Sequence, residues 1–123
     1  MAALSLKARF MGNLARRIPS LMIQSQLIET QTGRCGYCNS SLVDQVIEWD
    51  HFEPFSYSND NSRENWVASC QPCNRRKKDH VFRSERALEA FCLSMVKAHG
   101  SLGDGWPDGS TTAFRHLLGT TRG

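Results

Sequence analysis

Several things are scarce in this 123-residue chain, and each scarcity narrows the reading. No apolar run approaches the roughly 18 residues that a membrane-spanning helix needs, so no membrane span is expected. No internal repeat appears. Only 40% of the residues are hydrophobic, enough for one small domain with a modest core that wants help from a metal or from disulfides. Cysteines number five, an odd count. Grouped as two C-x-x-C pairs plus a solitary Cys92, they do not make a secreted disulfide framework, and the expected compartment is reducing and cytoplasmic. Acids are missing before Glu29, while Lys7, Arg9, Arg16 and Arg17 are present, as in an organelle transit peptide. That stretch runs into the domain without a cleavage-like boundary, so a helix with a solvated basic face is the better reading.

The charge that is present is unevenly placed. The net charge is +3, yet residues 1 to 34 carry five cations and one acid, and Asp44 to Glu64 hold six acids against Arg63. From Arg75 to Arg86 six cations face two acids. Basic segments around an acidic middle suit a surface that follows an anionic polymer while keeping a pocket for a divalent metal.

Periodicity and punctuation give four segments. Residues 1 to 33 are a helical segment: Leu4, Ala8, Met11, Ala15 and Ile18 recur at helical spacing, Pro19 interrupts, and a second helix runs from Ser20 toward Gly33. Residues 34 to 80 form the core. In it "QVIEWDH" reads as a strand with Ile47 and Trp49 on one side and Glu48 and Asp50 on the other, and "NWVAS" as a second strand. "FEPFSYSNDNSREN" between them reads as a loop, and a helix begins near Gln71 or Pro72. Residues 81 to 99 hold a helix from about Glu85, capped by Ser84 and closed by Gly100, with Leu88, Phe91, Cys92 and Met95 as its inward stripe. Cys92 is thereby a buried apolar residue rather than a ligand. Residues 100 to 123 are a Gly-rich tail with one helical turn around Phe114, Leu117 and Leu118.

The cysteine pairs Cys35-x-x-Cys38 and Cys70-x-x-Cys73 are two knuckles, each letting both sulfurs of a turn meet one ion. Redox chemistry would not need two pairs. Four thiolates fill a tetrahedral Zn²⁺ and leave no open position for water, so this zinc is structural. Its binding energy, on the order of 10 kcal/mol, offsets the ordering of about ten residues at about 1 kcal/mol each.

Thirty-one residues separate the knuckles, more than a zinc ribbon needs. Within that gap Asp50 and His51 are adjacent at a strand end, and Asn74 directly follows the second knuckle. Asp50 and Asn74, brought together, are hard oxygen donors suited to Mg²⁺ or Mn²⁺. His51 beside such an ion could take a proton from water.

At these residues the chain resembles the His-Asn-His (HNH) endonucleases, the ββα-metal nucleases. The matching pieces are Asp50-His51 followed by Pro54, Asn65 ahead of an apolar pair, and Cys70-x-x-Cys73-Asn74 with Lys77, over roughly Cys35 to Asp79. The resemblance implies an α+β fold, a small zinc-stabilised ββα-metal core flanked by N- and C-terminal helices. It implies His51 as general base, Asp50 and Asn74 as ligands of the catalytic divalent ion, and Asn65 as the residue that holds the loop so that His51 is oriented. Where many members carry a third named histidine, this chain has Asn74. Arg75, Arg76, Lys77 and Lys78 then fall on the helix carrying Asn74, and Lys77, at the family's basic position, is the favoured phosphate contact. His80, His99 and His116 lack such company and are expected at the surface.

The expected function is metal-dependent hydrolysis of DNA, most simply double-stranded, to a 5′ phosphate and a 3′ hydroxyl. A homodimer or a targeting partner would bear on strand number and specificity. The alternative is a zinc-stabilised module that binds nucleic acid without cutting it.

Overall fold

The computed structural model describes residues 18–101. The expected turn around Phe114, together with His116 and, but for Ile18, the residues of the helix expected before Pro19, lies outside them. Helix α1 (Leu21–Thr30) starts at Ser20, whose Oγ accepts the Ile23 N–H at 3.3 Å. It stops earlier than the glycine suggested. Thr32 takes the left-handed position (φ 54°), and the Thr32 and Gly33 N–H groups close back on the Glu29 and Ile28 carbonyls at 3.1 and 2.9 Å.

Strands β1 (Ile47–His51) and β2 (Trp66–Cys70) pair antiparallel, with Asp50 opposite Val67 and His51 opposite Trp66. Alternation along β1 separates Glu48 and Asp50 from Ile47, Trp49 and His51. The intervening segment is not all irregular: it contains a short helix α2 (Phe55–Ser58) and a 3₁₀ turn at Arg63–Asn65. Every residue of β2 is buried, because its free edge is also covered. Gln31 supplies that cover: its side-chain amide accepts from Ala68 N at 3.0 Å and donates to Ala68 O at 2.8 Å, as a third strand would.

Helix α3 (Gln71–Lys77) follows β2 without a loop, and Pro72 stands in its first turn, where a missing N–H costs nothing. Helix α4 (Glu85–His99) begins at Ser84, whose Oγ accepts the Ala87 N–H at 3.1 Å, and ends at Gly100. Its buried stripe of Leu88, Cys92 and Met95 joins Cys35, Tyr37, Cys38, Phe52 and Phe82 in one core. Glycine is required at two close approaches. A Cβ on Gly36 would lie 2.3 Å from Val67 Cγ1, and one on Gly100 would lie 2.3 Å from the Cys38 carbonyl. The described chain is therefore α+β: four helices and a two-stranded antiparallel sheet, with four cysteines gathered at its centre.

Candidate active site and zinc centre

The sulfurs of Cys35, Cys38, Cys70 and Cys73 all lie within 4.8 Å of one another, and all four residues are buried. Four sulfurs at zinc–sulfur distances of about 2.3 Å would stand about 3.8 Å apart in a tetrahedron. The separation between Cys38 Sγ and Cys70 Sγ is 3.7 Å, so the set fits zinc. Backbone amides of Tyr37 and Cys70 point at Cys35 Sγ at 3.4 and 3.3 Å, as donors to a thiolate should. Without an ion, hydrogen bonding from Cys35 does most to lower the Cys38 thiol and to pull Cys70 down to about 6. Cys92 lies outside this set, and burial pushes its thiol up to about 12.

His99 is exposed, as expected, yet it is not without company. Its Nε2 lies 3.2 Å from Cys73 Sγ and 3.6 Å from Cys70 Sγ, at the far end of α4. Ser101 N donates to the Cys38 carbonyl at 3.0 Å, so the end of α4 is seated on the knuckles. The signal missed in the sequence was the distance from Ser84 to His99, which is the length of helix that reaches the four cysteines.

The cysteine knuckles also hold the second site. Tyr37, between the two cysteines of the first knuckle, is fully buried and its hydroxyl donates to Asp50 Oδ2. Lys77, on the helix that begins at the second knuckle, brings its Nζ to 3.1 Å from the same oxygen and donates to the His51 carbonyl at 3.0 Å. Burial raises the Asp50 carboxyl, against the pull of the Lys77 charge and the Tyr37 hydrogen bond. The Tyr37 phenol is pushed well up by burial and by the Asp50 charge, so it remains a donor. Asp50 thus has Oδ2 held from two sides, and among the described residues nothing bonds its Oδ1.

Lys77 requires a correction. Its side chain is only 2% exposed and its ammonium faces inward, so it is a buried partner of Asp50 and not the phosphate contact it was expected to be. Helical geometry decides this: Lys77 lies on the same face as Cys73 and Asn74, while Arg75, Arg76 and Lys78 are exposed.

Glu48, Asp50, His51 and Asn74 line one open cleft of about 700 Å³, with Phe55 and Lys78 at its walls. His51 packs its ring on Trp66, centroids 3.8 Å apart, and places Nε2 2.9 Å from Asn61 Oδ1. Asn61 was not singled out from the sequence, since one asparagine in a Ser/Asn-rich loop carries no signal. Asn65 does not touch the imidazole. Its amide accepts from Glu53 N at 2.8 Å and donates to the Glu53 and Asp60 carbonyls at 2.9 and 2.8 Å, which ties down the loop that leaves His51. Asn74 Nδ2 donates to Glu48 Oε1 at 2.9 Å.

Asp50 and Asn74 both line this cleft, and a carboxylate and an amide oxygen are the donor types that a hard divalent cation takes.

Two strands and a helix that begins at the four-cysteine centre thus bring an Asp-His pair and an asparagine onto one cleft. Residues 35–80 match the family model of the HNH endonucleases. Over 58 residues, 46% of the chain, the sequence is 36% identical to the CRISPR-associated endonuclease Cas9 of Corynebacterium diphtheriae. The matched stretch amounts to 5% of that protein's length. The chain carries an HNH endonuclease domain at residues 35–80.

Proposed function

We propose that the chain is a metal-dependent DNA endonuclease that hydrolyses a phosphodiester to a 5′ phosphate and a 3′ hydroxyl. The observation that carries this reading is that Asp50 and His51 on β1 and Asn74 on α3, 24 and 23 residues further along the chain, line one cleft. Asp50 and Asn74 would hold Mg²⁺ or Mn²⁺, which when bound neutralises charge developing on the phosphate and on the leaving 3′ oxygen.

His51 is the general base. With its Nε2–H donated to Asn61 Oδ1, Nδ1 keeps its lone pair and takes the proton of the attacking water. The oxygen of that water forms the new bond to phosphorus as the bond to the 3′ oxygen breaks. Asn65 and Trp66 restrict where the imidazole can go, one through the loop and one through its ring. Asp50 is kept in place by Tyr37 and Lys77, and both of these sit on zinc-tethered backbone, so the structural zinc sets the position of the carboxylate. Arg75, Arg76 and Lys78 meet flanking phosphates, most simply of a DNA duplex.

The zinc-loaded protein should convert supercoiled plasmid to nicked or linear DNA when Mg²⁺ or Mn²⁺ is added, leaving ends with a 5′ phosphate. No conversion with either metal would reject the reading. A second reading, a module that binds nucleic acid without cutting, has one observation in its favour: the Lys77 ammonium already supplies Asp50 with a positive charge. It predicts retention of DNA with no cleavage in the same assay.

A further inference from the structure

Building on that metal-dependent reading, we propose that Glu48 is a positioning residue: its carboxylate decides which end of the Asn74 amide is offered to the divalent ion. Glu48 precedes Asp50 by two residues on β1, so both acids leave the strand on the face covered by α3. Their surroundings differ. Asp50 keeps an oxygen without a bonding partner among the described residues, whereas both Glu48 oxygens are engaged. Oε1 accepts from Asn74 Nδ2 at 2.9 Å, and Oε2 accepts from Gln71 Nε2 at 3.2 Å with Arg75 Nη2 3.9 Å away. Gln71, Asn74 and Arg75 are spaced three and four apart, one face of α3, and Glu48 gathers that face.

The selectivity follows from what a carboxylate can do. Ionised, it only accepts hydrogen bonds, so it takes the NH₂ end of an asparagine and repels the carbonyl end. Asn74 is a ligand with one useful end. Turned by half a revolution it would present an NH₂ group, which cannot bind a cation. With Nδ2 on Glu48, Oδ1 is the end left for the cleft, and no described residue donates to it. A histidine or an aspartate at this position would not need such a selector, because neither has an amide to invert.

The test is the affinity of the zinc-loaded full chain for Mn²⁺, read from the paramagnetic resonance of free Mn²⁺, together with the melting temperature. Glu48→Gln keeps the shape but can donate to Asn74 Oδ1, and it should weaken Mn²⁺ binding by about 10-fold or more. In an Asn74→Asp background both ends are oxygens, so Glu48→Gln should no longer weaken binding. Gln71→Ala, which loosens the other arm of Glu48, should lower the melting temperature and leave Mn²⁺ affinity unchanged, separating positioning from general support. Wild-type affinity in Glu48→Gln, or an undiminished loss in the Asn74→Asp background, overturns the inference. Absence of Mn²⁺ binding by the wild type is a different result and would remove the nuclease reading along with it.

Discussion

Lys77 Nζ and Asp50 Oδ2 lie 3.1 Å apart with both side chains out of solvent, so the carboxylate beside the candidate base His51 is one half of a buried ion pair. Such a pair is held more by the cost of breaking it than by the gain of making it. Lys77→Met should therefore destabilise the zinc-loaded protein by about 3 kcal/mol in urea unfolding, because a buried carboxylate is left with Tyr37 alone. Adding Asp50→Asn should recover part of that loss. A cost below about 1 kcal/mol for Lys77→Met would contradict the pair.

Zinc removal should be as damaging. The two knuckles fix α3, β2 and the end of α4, and Cys35, Cys38, Cys70 and Cys73 are all members of the core cluster. The protein should contain one zinc per chain. Chelation should abolish the cooperative melt, since on the order of 10 kcal/mol of binding energy would be withdrawn. Cys73→Ser should do the same without a chelator.

For DNA binding, the exposed cations divide from the buried one. Arg75→Ala, Arg76→Ala and Lys78→Ala should each weaken retention of a duplex and lower the slope of log K against log salt by about 0.9 for every phosphate contact removed. Lys77→Met, if it folds, should leave that slope unchanged. Equal slopes throughout would show that these side chains are only a wet face.

Cys92 gives a pH prediction. Its thiol stands at about 12 in the fold against 9.0 for an ordinary thiol, first because of burial and then because of the Cys38 charge. Between those values the unfolded chain has lost the proton and the native chain has kept it. Stability therefore falls as pH rises through that window, by about 1.4 kcal/mol for each pH unit from this group alone. Cys92→Ala should flatten the alkaline part of the stability curve relative to wild type. The same slope in both proteins would mean that this thiol ionises natively.

Much of this arrangement was legible in the sequence because it is written locally. The knuckles are four residues long, Ser84 and Gly100 bracket α4, and the alternation through "IEWDH" sets which side chains share a face. Asp50, His51 and Asn74, singled out by their order along the chain, line one cleft. What escaped depends on contacts across the chain. The i,i+4 spacing from Cys73 puts Lys77 on the inward face of α3, but that Asp50 of β1 waits there as its partner is settled by the packing of α3 on β1. Asn65 was expected to hold the loop after His51, and its side chain does bond that loop's backbone at Glu53 and Asp60, although the particular partners were not legible. The groups actually touching the site residues, Asn61, Glu48 and Tyr37, are ordinary residues until the fold brings them together. Composition also misled at α2, where a Ser-rich stretch closes a helical turn after Pro54.

The central claim is that His51 is the base that activates water at this cleft, and single-turnover cleavage of a labelled DNA duplex at saturating Mn²⁺ tests it most directly. The zinc-loaded His51→Ala protein should retain its fold and its hold on DNA while its cleavage rate falls by about 10² or more. A His51→Ala protein that cuts at the wild-type rate would contradict the account.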